Sequence, residues 1–165
     1  MSSPPLHVTF VCSGNICRSP MAEKMLAHQL TERGLADAVR VTSAGTGGWH
    51  VGEPTHELAA RVLREHGYPT AHSASLLDDD HRDADLVVAM GRNHLRILHD
   101  QGVAPERVRM MRSFDPRSGA HPLDVEDPYY GTVEDFEETL AVIEASLPGL
   151  HDWIDDQLEQ RDVAS

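Results

Sequence analysis

The chain has 165 residues, close to the commonest size of a single domain, so one compact domain spanning 1–165 with a sizeable core is expected. Fourteen Lys and Arg stand against 27 Asp and Glu, a net charge of −13 that excludes generic binding to nucleic acid or to an anionic membrane surface. No apolar run approaches the roughly 18 residues of a membrane span, Met-Ser-Ser-Pro-Pro opens no signal peptide, and the two Cys form no disulfide framework.

A cytoplasmic, monomeric thiol protein is therefore expected, with export by a route that needs no signal peptide left open. Leu6 to Val11 reads as a short buried strand that runs straight into Cys12-Ser13-Gly14-Asn15-Ile16-Cys17-Arg18-Ser19-Pro20. A helix must follow. Ser19 suits its N-cap and Pro20 its first position, Met21, Met25, Leu26 and Leu30 give an apolar stripe, and Gly34 ends it. Val39 to Ser43 is a second strand, and Leu58, Val62 and Leu63 mark a helix that stops near Gly67.

Asp85 to Met90 is a third, fully buried strand, followed by a short helix around Leu95 and Leu98 that ends near Gly102. Val108 to Met111 is a weaker fourth. Ser113 to Gly131, rich in Pro, Gly and Asp and without period, reads as a functional loop rather than a linker. Phe136, Leu140, Ile143, Leu147, Leu150, Ile154 and Leu158 recur three or four apart, an amphipathic helix in which Pro148 predicts a kink or a break. Both termini read as frayed. Strand and helix in alternation imply a three-layer α/β domain with a central four-stranded parallel sheet and helices on both faces.

The loop after the first strand carries the chemistry. A thiol at Cys12 and an Arg six residues later, separated by small and polar residues at a helix N-terminus, build a cradle for an oxyanion. Backbone N–H groups of Ser13 to Ser19 would surround a phosphate, Arg18 would add a two-pronged donor, and the same field suits a thiolate nucleophile set for in-line attack. Gly14 permits close backbone approach, Asn15 tolerates left-handed geometry, and Ser19 can hydrogen-bond the sulfur. Asp127, before a rigidifying Pro128 in the long loop, can supply the proton that a departing phenolate oxygen needs. Trp49, Tyr129 and Tyr130 can wall the cleft with flat rings, although core packing is the ordinary place for such residues.

The stretch VCSGNICRSPMAE resembles the active-site loop of the low-molecular-weight protein tyrosine phosphatases. Thr42-Ser43-Ala44-Gly45, Gly52 with Pro54, Gly67 with His72, Asp85 to Met90, Ser113-Phe114-Asp115-Pro116 and Glu126-Asp127-Pro128-Tyr129-Tyr130-Gly131 are similar to that family's blocks in its order. RSFDPRSG with LDVEDPYYG and GLHDW resembles its actinobacterial, mycobacterial-type branch. The resemblance implies a Rossmann-like phosphatase fold, Cys12 as nucleophile, Arg18 as phosphate binder and Asp127 as general acid and base. It also implies Asn15, Ser43 and His72 as braces of the loop, no cofactor, phosphotyrosine proteins as substrates and inorganic phosphate as product. Ser75 and Gly91 depart from it, where the family often has Arg and Asp, and they leave local bracing of the loops open.

Thioredoxin-coupled arsenate reductases need further thiols, and no Cys follows Cys17. A protein-arginine phosphatase is a nearer rival, but Ile16 stands where that subfamily resembles Thr. A non-catalytic phosphotyrosine-binding module would need neither Cys12 nor Asp127. A metal site is not expected: His56-Glu57 lacks a second His at Ala60, and Cys12 and Cys17 lack ligand spacing.

Overall fold

The computed structural model describes residues 4–119 and 123–164, so the expected fraying at residues 1–3 and 165 and the middle of the long loop, residues 120–122, lie outside it. Strands β1 (Leu6–Cys12), β2 (Val39–Gly45), β3 (Leu86–Ala89) and β4 (Val108–Met110) form one parallel sheet in the order β2-β1-β3-β4. Leu6 pairs with Val39 through to Cys12 with Gly45, and on the other edge Val8 pairs with Leu86 through to Val11 with Ala89. β1 is thus central, and the chain leaves it first to one side and later to the other. The carboxyl end of such a strand is a topological switch point, where an open α/β sheet forms its ligand crevice. Cys12 is the last residue of β1.

Helices cover both faces. Val8 and Phe10 of β1 and Val88 of β3 meet Met21, Met25, Leu26 and Leu30 of α1 (Arg18–Glu32) on one face. Val62 and Leu63 of α2 (Glu57–Glu65) and Phe136, Ile143 and Leu150 of α5 (Val133–Ala164) complete that core. On the other face Val11, Val87 and Ala89 pack on a smaller cluster with Leu98 of α4 (Arg92–Asp100), Leu77 and Ala84. The four-residue helix α3 (Asp79–Arg82) has no apolar period to betray it; Asp78 accepts the His81 amide and the His81 ring reaches back to the Asp78 amide.

Two expectations are corrected. α1 starts at Arg18, with Cys17 as its N-cap and no side-chain cap, so Pro20 is not its first residue. The Ser19 hydroxyl is instead engaged inside the loop, which is why it caps nothing. Pro148 does not break α5, which runs unbroken from Val133 to Ala164. An interior Pro costs about 3 kcal/mol. Ile143, Leu147, Leu150 and Ile154 flank it and are all buried in one core, at about 1.5–3 kcal/mol each, which outweighs that cost. Gly149 beside it lets the helix touch the backbone of the Ser113-Phe114 turn: a Cβ there would lie 2.1 Å from the Phe114 carbonyl oxygen.

Candidate active site

The loop between β1 and α1 closes over a cavity of about 430 Å³ lined by Cys12, Ser13, Gly14, Ile16, Cys17, Arg18 and Asp127, with Trp49, His50, Tyr129 and Tyr130 at its wall. The Cys12 sulfur is buried and lies 2.9 Å from the Ser19 hydroxyl. Arg18 is 7% exposed; its Nη1 donates to the Val125 carbonyl at 3.1 Å, and its Nη2 lies 3.5 Å from an Asp127 carboxylate oxygen. Its Nε is buried with no partner, an orphan donor at a site that a phosphoryl oxygen could satisfy. Asp127 is half exposed, and its other oxygen accepts the Tyr129 amide at 3.2 Å.

Asn15 holds the loop's shape. It is fully buried with φ 59°, the left-handed region its short amide tolerates. Its Nδ2 donates to Ser19 at 2.8 Å and to Ser43 at 2.9 Å, and its Oδ1 accepts the Ser75 amide at 2.9 Å. Its carbonyl faces His72 Nε2 at 2.8 Å. Burial pushes the His72 ring below the usual imidazole range, so at neutral pH it is a neutral donor to that carbonyl. Ser43 in turn donates to Glu23. At Ser75 the departure from the family pattern is harmless to this brace, because the main chain and not the side chain makes the contact.

The rings stand at the rim. Trp49 is 74% exposed and Tyr130 96%, which is unusual for such large apolar surfaces and rules out core packing for either. Tyr129 is half-buried among His50, His56 and Tyr130, with ring centroids 4.7 to 5.8 Å away. The sequence reading missed His50, His56, Glu23 and His94. Glu23 and His50 stand inside or beside motifs already singled out; His56 was weighed only as a metal ligand, and His94 had no such signal. A second hollow, about 590 Å³, lies behind the Asp127 loop between Arg92, Arg112 and α5, but no Cys lines it. Among the described residues, no three His, Cys, Asp or Glu are grouped to hold a metal ion.

Residues 7–162 match the family described as low molecular weight phosphotyrosine protein phosphatase. The chain belongs to that family. The low molecular weight protein-tyrosine phosphatase A of Mycobacterium tuberculosis is 69% identical over 156 residues, 94% of this chain and 96% of its own length. Among solved structures, a protein tyrosine phosphatase of Entamoeba histolytica superposes with a TM-score of 0.84 at 25% identity, over 92% of this chain and 98% of that one. The YwlE arginine phosphatase of Geobacillus stearothermophilus gives 0.79 at 30% identity, over 94% and 97%. The four-stranded parallel sheet with helices on both faces is thus that of the low molecular weight phosphatases, and the protein is a phosphatase of this class. No helix among the described residues is long and apolar enough to cross a membrane.

Proposed function

We propose that the protein hydrolyses protein phosphotyrosine in two steps, with Cys12 as nucleophile, Arg18 as phosphate binder and Asp127 as general acid, then base. The observation that carries this reading is the shared cavity: a sulfur, a buried guanidinium with an unpartnered Nε, and a half-exposed carboxylate meet in one cleft. In the first step the Cys12 sulfur attacks phosphorus, an S–P bond forms, the P–O bond to the phenol breaks, and Asp127 protonates the departing oxygen. In the second, the Asp127 carboxylate takes a proton from water, the water oxygen attacks phosphorus, and inorganic phosphate leaves as the S–P bond breaks. Neither step needs a cofactor, and every group comes from one chain, so a monomer suffices. The nucleophile must stay reduced, which suits the cytoplasm.

The wall favours an aromatic ester. Trp49 and Tyr130 expose large ring faces that a flat phenyl group would cover, and a phosphoserine is too short to reach both them and Cys12. The Ile16 side chain, buried and lining the cleft, offers no polar atom to a guanidinium that would have to be desolvated there. This favours phosphotyrosine over the phosphoarginine handled by the arginine phosphatase of similar fold. The test is kcat/KM on phosphotyrosine, phosphoserine and phosphoarginine peptides for the wild type and Ile16→Thr. The wild type should prefer phosphotyrosine, and Ile16→Thr should raise activity on phosphoarginine relative to it. A wild-type preference for either other peptide would overturn the reading of the cleft.

Cys12 and Cys17 are both free thiols lining this cavity. Peroxide should convert Cys12 to a sulfenic acid, which condenses with the Cys17 thiol to a disulfide with loss of water and so spares Cys12 from irreversible oxidation. Burial pushes the Cys17 thiol up, Cys12 and Asp127 push it the same way and Arg18 opposes, so the condensation should speed up as pH rises. Peptide mapping after peroxide treatment should find the Cys12–Cys17 linkage; its absence at every pH would refute the protective role.

A further inference from the structure

The first turn of α4 touches both loops of the proposed active site. On one side the His94 imidazole, fully buried, brings Nε2 to 2.9 Å from the hydroxyl of Ser13, the residue after Cys12. Its Nδ1 is buried with no partner, so Ser13 is the one hydrogen-bonding outlet of this ring among the described residues. Desolvation holds His94 down at about 4; Arg18 pushes the same way, while Asp124 and Asp127 oppose. The ring is therefore neutral at working pH and carries one N–H. Placing it on Nε2 leaves only a lone pair bare at Nδ1, and that assignment makes His94 the donor to Ser13.

On the other side Asp124, three residues before Asp127, reaches the same helix. Its Oδ1 accepts the Arg92 amide at 2.9 Å and lies 3.3 Å from Arg92 Nε. The helix thus receives its cap from outside its own sequence, because its N-cap residue is Gly91, which has no side chain. A Cβ at Gly91 would sit 3.3 Å from the Asp124 carboxyl carbon and 3.0 Å from Asn93 Oδ1, so glycine leaves room for the incoming carboxylate. Val125 continues the anchor, with its amide on the Met90 carbonyl at 2.8 Å and its own carbonyl on Arg18 at 3.1 Å.

We propose that the first turn of α4 is a positioning bridge: His94 fixes the phosphate loop through Ser13, and Asp124 fixes the loop bearing Asp127 through the Arg92 amide. Nucleophile and acid then share one rigid reference, packed against the sheet through Leu98. The proposal rests on the roles given above to Cys12 and Asp127. A displacement of about 1 Å at either loop can cost up to about 10²-fold in rate, so both contacts matter without touching substrate.

The experiment measures kcat, KM and inhibition by inorganic phosphate on aryl phosphates spanning a range of leaving-group pKa. His94→Leu should lower kcat at least about tenfold for every leaving group and weaken phosphate inhibition, while His94→Gln, which keeps a donor near Nε2, restores most of both. Asp124→Ala should lower kcat/KM, which reports the first step alone, mainly for poor leaving groups, with phosphate inhibition intact, and Asp124→Asn, which keeps the acceptor, should restore it. Ser13→Ala removes the same hydrogen bond from the less buried side, so it must reproduce the His94→Leu loss even if that variant fails to fold, and it must add nothing to it if it folds. Wild-type kcat in Ser13→Ala, or a loss of kcat/KM in Asp124→Ala that is equal for all leaving groups, would overturn the bridge. Failure of the wild type to turn over, or survival of activity in Cys12→Ser, would instead refute the reading of the site itself.

Discussion

Cys12→Ser should abolish turnover of phosphotyrosine substrates while leaving the fold and phosphate binding in place. A serine hydroxyl has no accessible anion at neutral pH, and it is a far weaker nucleophile than a thiolate. The rest of the site does not depend on the sulfur. Cys12 closes the β1–β2 register opposite Gly45, a main-chain contact that any side chain permits. The Ser19 hydroxyl keeps its partner in Asn15 when the sulfur is lost, and Arg18 keeps its bond to Val125. Inorganic phosphate should therefore still protect the variant against thermal unfolding, by mass action on the folded state. Turnover within about tenfold of the wild type would overturn the nucleophile assignment. Complete loss of phosphate protection would mean that the cradle itself collapses without the sulfur.

How much of this was legible in the sequence depends on how far apart the interacting residues lie. β3 was legible because both faces are buried and its residues are all apolar, β1 because only His7 and Thr9 interrupt its apolar run, and the loop after β1 because its chemistry is local. The start of α1 was misread for a reason that belongs to the site: Ser19-Pro20 has the form of an N-cap and first turn, but Asn15 and Cys12 take the hydroxyl. The brace formed by Asn15, Ser43 and His72 came only through family resemblance, and the structure adds Glu23 as its outer end. The contacts of His94 and Asp124 were invisible, although Asp124 lies within LDVEDPYYG. Their partners Ser13 and Arg92 lie 81 and 32 residues away, and nothing in a single sequence reports a contact across that span. Gly91 was the one trace, a missing carboxylate whose place another segment fills. Pro148 was expected to kink or break α5, which runs unbroken, because local propensity does not measure the apolar surface that the helix buries on either side of it.

Asp127→Ala should slow hydrolysis of phosphotyrosine by about 10² to 10⁴, the usual worth of a positioned general acid. The geometry suits a group that must meet a leaving oxygen at the mouth of the cleft. Asp127 is half exposed, held loosely by Arg18 at 3.5 Å and by the Tyr129 amide at 3.2 Å, and it shares the cavity with Cys12. Removing the carboxylate also frees an Arg18 nitrogen, so substrate should bind no more weakly, and kcat should fall with KM unchanged or lower. The loss in kcat/KM, which reports the first step alone, should shrink as the leaving group becomes a better one, since an oxygen that leaves readily as an anion needs no proton. With the best leaving groups the first step becomes fast, the second step still lacks its base, and the phosphocysteine should accumulate as a burst of product in stopped-flow traces. A loss of kcat/KM equal for all leaving groups, with no burst, would remove Asp127 from the chemistry and leave it as a partner of Arg18.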